Sequence, residues 1–184
     1  HEMARPFYDR AILIFTAIKD TSTLTNVLGN IGGMFSDDKQ QDSAILYYQK
    51  AIRLNKLAGN LSNLSHDLSG LGMALEELKK PEEALKYYHE AYLVAHKGGT
   101  EIDKAFANQH LGFYHFRSRR YDSAEHYMNI TYEYAQKMNF AQLLINSLEV
   151  LHQAAYVQGN HKEAYEIYKE ATILNDSLLS LENV

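Results

Sequence analysis

The sequence predicts an all-α fold of antiparallel helix pairs stacked in a row, and three observations predict it. Apolar residues recur at three- and four-residue spacings through nearly the whole chain, and no stretch alternates long enough to be a strand. The chain holds 2 prolines, and one of them, Pro81, suits the first turn of a helix. The chain also repeats itself at an interval of 40 residues: Ala4, Ala44, Ala84, Ala124 and Ala164 fall in one column. A period of about 20–50 residues marks an array in which each unit covers its neighbour's apolar face.

Further columns travel with that alanine. Four residues on stand Tyr8, Tyr48, Tyr88, Met128 and Tyr168, preceded by Phe7, Tyr47, Tyr87, Tyr127 and Ile167. Seven residues on stand Ala11, Ala51, Ala91, Thr131 and Ala171. Twelve residues before the alanine come Gly32, Gly72, Gly112 and His152, each after Ile31, Leu71, Leu111 or Leu151. Small residues such as Gly32 and Ala44 mark close crossings of two helices, and large ones such as Ile31 and Tyr48 fill the adjacent gaps.

Taken in order, the elements are a half repeat over 4–20 and four full repeats over about 23–59, 62–98, 102–138 and 142–179, with a tail over 180–184. The first segment has an alanine column but no helix before it, so the chain is expected to begin inside a repeat. Within the second full repeat Lys79-Lys80-Pro81 breaks the pair, and Glu82 and Glu83 favour a helix N-terminus. In the fourth the break is Gly159-Asn160. Between repeats come Gly59, Gly98-Gly99 and Asn139, all good helix terminators. The last stretch, ATILNDSLLSLENV, is still helix-like where it stops, which suggests a segment of a larger protein.

Leu-Gly, then Ala-x-x-x-aromatic, then Ala, in this order, resembles the tetratricopeptide repeat, and the resemblance covers essentially the whole chain. It implies one domain, a right-handed α-solenoid of about nine or ten helices. Two departures stand out. The period exceeds the family's 34 residues, which lengthens each helix by about three residues, roughly 4.5 Å. Lys56, His96, Gln136 and Asp176 stand where the family's closing proline is expected. Long repeats of this kind resemble those of bacterial regulatory proteins, including peptide sensors and repeat domains fused to kinase or DNA-binding modules.

In such a stack the first helix of each pair lines the concave face. The residues there left over from packing are Asn26, Gly29, Asn30, Gly33, Ser36 and Asp37 in the first repeat. In the second they are His66, Ser69, Gly70, Met73, Glu76 and Glu77; in the third, Phe106, Gln109, His110, Phe113, Phe116 and Arg117; in the fourth, Asn146, Glu149, Val150, Gln153, Tyr156 and Val157. Phe106, Phe113 and Phe116 beside Arg117 have the composition of a binding hot spot, or else pack on a neighbouring helix. Asn30, Gln109, Asn146 and Gln153 could hydrogen-bond an extended peptide, or be plain helix surface. Only Arg117 offers a cation inside, while Asp37, Glu76, Glu77 and Glu149 tilt the groove negative, which suits a neutral or basic peptide.

Other chemistry finds little support. The net charge is −5 and the isoelectric point about 6.0, without the basic face that nucleic acid requires. Cysteine is absent, which excludes disulfides and thiolate sites and leaves cytoplasm and periplasm equally open. The longest apolar run, Ala11 to Ile18, is far short of the roughly 20 residues of a membrane span. No two of the 9 histidines stand at i, i+4, so no helical zinc pair and no metal site is expected. Ser62, Ser65 and Ser69 near His66 and Asp67 are helical neighbours and cannot build a triad.

The expectation is therefore a non-catalytic, cofactor-free module that binds a protein or peptide segment, within a bacterial regulatory or signalling protein. Alternatives are a static scaffold or adaptor, or a repeat domain that regulates a fused output module. A third is a role in remodelling a response regulator's phosphorylation, for which Gln109 is the nearest candidate side chain. The incomplete first repeat exposes Phe7, Ile12 and Ile14, an edge suited to homodimerisation.

Overall fold

A computed structural model describes residues 5–182. Ala4 and the last two residues of the expected tail lie outside the described residues. Everything described is helix and short turn, in two compact units, His1–Thr100 and Glu101–Val184.

The first unit runs α1 (Arg5–Ala17), α2 (Thr21–Asp37), α3 (Gln41–Ala58), α4 (Leu61–Glu77) and α5 (Pro81–Gly98). Each helix packs on the next in sequence, and α2 also touches α4. Asp20 starts α2 by accepting the Thr23 amide at 3.0 Å, and Asn60 starts α4 by accepting the Asn63 amide at 3.2 Å. Pro81 opens α5, where its missing N–H costs nothing. The second unit runs α6 (Glu101–Arg117), α7 (Tyr121–Met138), α8 (Ala141–Val157) and α9 (His161–Glu182), again packed in sequence with α6 touching α8.

The repeat columns are the packing surfaces. Ala44, Ala84 and Ala124 are wholly buried and Ala164 nearly so, which lets the paired helices approach. A Cβ on Gly32 would lie 2.9 Å from the Tyr48 ring, and one on Gly70 would lie 2.5 Å from it, so this ring is clamped between α2 and α4. Gly72 gives the same room to Tyr88, and Gly112 to Met128. Hydroxyls close the crossings from within: Ser65 Oγ donates to the Ala91 carbonyl at 3.0 Å, and Tyr88 Oη to Glu76 Oε2 at 2.9 Å. In the last pair His152 stands in the glycine column. Its ring meets the Tyr168 ring at 5.3 Å and its Nδ1 lies 2.9 Å from the Ala164 carbonyl, and Tyr168 is displaced to the surface.

The turn inside each pair has one recurring form. Lys39, Lys79, Arg119 and Gly159 all take positive φ, at 59°, 61°, 57° and 86°. The amide after each bonds back to the helix: Gln40 to the Phe35 carbonyl, Lys80 to Leu75, Arg120 to His115 and Asn160 to Ala155. This satisfies carbonyls that a helix end leaves open. Only one of the four positions is glycine.

Candidate functional site

In the first unit α2 and α4 lie side by side and present one joint surface. The Asn63 side-chain Nδ2 donates to Asn26 Oδ1 and links them across that surface. Asn26, Asn30 and Asp37 on α2 are exposed, as are His66, Met73 and Glu77 on α4; Gly33 is half-buried. Met73, at 41% exposure, is the large apolar group of this otherwise polar strip. The Ser36 hydroxyl faces Gln41 Oε1 at 3.3 Å, and the Gln41 amide donates to the Ser36 carbonyl at 3.2 Å. Ser69 and Gly70, expected on this surface, are buried instead, Gly70 because it abuts the Tyr48 ring.

The second unit departs further from the expected lining. Phe106 is half-buried against Ala105, Ala135, Leu143 and Leu144, and meets the Phe140 ring edge-on at 6.2 Å. Phe113 and Phe116 pack on the cluster of Ala124, Met128, Val150 and Leu151, and Phe116 also meets Tyr121. The Arg117 guanidinium lies 6.0 Å from the Phe113 ring centre. The three phenylalanines are thus half-buried and partly packed against residues of α7 and α8. Gln109 is only 4% exposed, and its Nε2 is buried without a hydrogen-bond partner. A side chain so enclosed cannot reach into a partner's phosphorylation site, which removes the candidate for that role. His110 is half-buried and Val150 buried. On α8, Asn146 and Gln153 are half-buried and Glu149 exposed. Asn146 accepts from Gln142 at 3.0 Å, and Gln153 donates to Glu149. Tyr156 and Val157 close the helix at 60% and 57% exposure.

One buried group beneath the first surface escaped the sequence reading. Asp67, on α4, is buried; its Oδ2 accepts from Asn55 Nδ2 of α3 at 2.8 Å, and its Oδ1 fills the space beside Gly29 of α2. Burial pushes the carboxyl up to about 7, against a smaller lowering by the Asn55 hydrogen bond. Burial also raises the Tyr48 phenol to about 12, helped by the charges of Asp67 and Asp37. The available signal was the column Val27, Asp67, Ala107, Ser147, in which one charged residue stands among small or apolar ones.

Among the described residues no three His, Asp or Glu side chains converge as metal ligands would, and no helix is long and apolar enough to cross a membrane.

Comparison with known proteins bears on the fold. A family model for the tetratricopeptide repeat matches residues 25–56, a stretch spanning most of α2 and α3. None of the curated proteins matches the sequence. The crystal structure of BtubC (BKLC) from P. vanneervenii superimposes with a TM-score of 0.84 at 18% identity, over 96% of this chain and 74% of that one. The apo form of RapI superimposes with a TM-score of 0.86 at 15% identity, over 96% of this chain and 65% of that one. Aspartyl phosphate phosphatase F from Bacillus subtilis gives 0.65 at 15% identity, over 95% and 58%. The chain therefore spans less than two thirds of the length of the last two. The class is settled by these matches together with the packing columns: an all-α helical-repeat fold. In particular, the tetratricopeptide-repeat model covers residues 25–56, and the other helix pairs repeat the same packing columns.

Proposed function

We propose that this chain is a non-catalytic protein-binding module of a bacterial regulatory or signalling protein. It holds an extended partner segment on the surface formed by its first helices, chiefly α2 and α4. The observation that carries this reading is the strip of Asn26, Asn30, Gly33, His66 and Met73, which stays accessible although its helices are fully packed on their other sides. Asparagine amides can both donate to and accept from a peptide backbone, and a lone methionine is an adaptable apolar contact. Asp37 and Glu77 at the end of the strip favour a neutral or basic segment. Asn146, Glu149, Gln153 and Tyr156 on α8 offer a second, comparable strip. On α6, Phe106, Phe113 and Phe116 are half-buried and Gln109 is buried, while His110 is half-buried and Arg117 exposed, so this helix contributes less to the proposed surface. The fold likeness to RapI and to an aspartyl phosphate phosphatase supports a regulatory setting.

The test is selection from a displayed peptide library, followed by mapping of the selected peptide through amide chemical shifts. The reading expects shifts concentrated on α2 and α4; shifts confined to α3, α5 or α7 contradict it. In the same reading two copies associate through the exposed face of α1, where Phe7 is 75% exposed and Ile14 46%.

A further inference from the structure

The groove between α7 and α9, floored by α8, occupies the same place in the repeat as the groove between α3 and α5, floored by α4. The two differ at several aligned positions, and two of these differences bear on what the groove can hold. In the first unit Leu71 forms the floor and the Tyr87 ring stands in the groove, lining separate depressions on its two sides. Two periods later the floor is Leu151 but the wall is Ile167. Here the lining encloses a cavity of about 260 Å³, with Leu148, Leu151, Ala155 and Ile167 as its apolar part.

The second difference is electrostatic. In the first unit Lys56 Nζ lies 2.7 Å from Glu90 Oε1 across the groove. The counterpart of Glu90 is Glu170, still a carboxylate, but the counterpart of Lys56 is Gln136. Gln136 Nε2 donates to Tyr132 Oη at 3.2 Å, and that hydroxyl donates to Glu170 Oε1 at 2.6 Å. This hydrogen bond, more than burial, raises the Tyr132 phenol to about 12. The group that reaches Glu170 from α7 is therefore the neutral Tyr132 phenol, itself held by Gln136. Glu125 and Glu163 line the same cavity, and among the described residues no lysine or arginine pairs with any of the three. The first unit neutralises its groove internally; the second keeps the acid and lacks the base.

We infer that the α7–α9 cavity receives an arginine side chain from a partner protein. Its aliphatic stem lies on Leu151 and Ile167, and its guanidinium meets Glu163 and Glu170 at the rim. An apolar floor beneath a carboxylate rim matches that side chain's two halves, and the planar guanidinium pairs with carboxylates in a bidentate way. The cavity is walled by the second helices α7 and α9 and shares no residue with the strip proposed above, so it stands or falls independently of it.

The probe is the blocked tripeptide acetyl-Ala-Arg-Ala-amide, titrated into the whole chain by amide chemical-shift mapping, beside the same peptide with citrulline in place of arginine. The expected result is saturable shifts at Tyr132, Ile167 and Glu170 with the arginine peptide and at least tenfold weaker binding of the citrulline peptide. Gln136→Lys supplies the base that the first unit has, and Ile167→Tyr supplies its ring. Each places a residue already native at the equivalent position, and circular dichroism checks the fold. Both should weaken the arginine peptide at least tenfold. No shifts at millimolar peptide would overturn the inference, as would equal binding of the citrulline peptide. Binding left unchanged by both substitutions would place the arginine elsewhere and overturn it too.

Discussion

Among the described residues no cation pairs with Asp67; its partner is the neutral amide of Asn55, and Gly29 leaves space for its other oxygen. Its folded-state pKa, about 7, is raised above the ordinary carboxylate value of 3.8. The folded state therefore holds the proton more tightly than the unfolded chain. The stabilisation is fully present below about pH 3.8 and is lost as the pH rises through about 7. Stability is thus expected to fall between pH 5 and pH 8 by an amount on the order of 2–4 kcal/mol. Asp67→Asn should flatten that dependence, as read by urea unfolding at the two pH values. An equally steep profile in the variant would assign the titration to another group. This site shows the limit of reading a sequence. Asn55 and Asp67 are ordinary helix residues singly, and only the approach of α3 to α4 makes them a buried pair.

Among the helices, the columns that predict the fold are also its most sensitive points. Gly72→Ala would put a Cβ 2.7 Å from the Tyr88 ring and push α4 away from α5. It should cost about 1–3 kcal/mol in urea unfolding. Gly33→Ala, whose Cβ would meet only Tyr48 Oη at 3.7 Å, should cost less than 1 kcal/mol or even stabilise its helix. Equal losses at the two sites would contradict the notch account. Gly159→Ala, at φ 86°, should cost roughly 1 kcal/mol through backbone strain alone. The helix pairs were legible because Ala, Gly and Tyr columns encode contact distances directly. The turn conformation was not, since Lys39, Lys79 and Arg119 carry no glycine signal for their positive φ. The phenylalanines of α6 were ambiguous for a related reason. A helical stripe of aromatics reads alike whether it faces solvent or the next helix, and here α7 and α8 cover part of it.

For the molecule as a whole, the proposed self-association is tested at α1. The α1 face bearing Phe7 and Ile14 is exposed, and the proposed association through it should appear as a concentration-dependent dimer mass in light scattering. Phe7→Glu with Ile14→Glu should return the monomer; a monomeric mass in wild type at high concentration contradicts the proposed association. Binding, in contrast, was legible only as a set of positions. Register identifies the first helices, but Ser69, Gly70 and Gln109 are buried by contacts that register does not encode, and the α2–α4 strip remains. The central claim is that this strip holds the partner segment. The most direct test is the dissociation constant of a library-selected peptide, by titration calorimetry, for wild type and for Asn30→Ala with Met73→Ala. Both side chains are exposed, so the variant should keep its helical circular dichroism. At least tenfold weaker binding by the folded variant is the result predicted; an unchanged dissociation constant would contradict the claim and move the binding surface off α2 and α4.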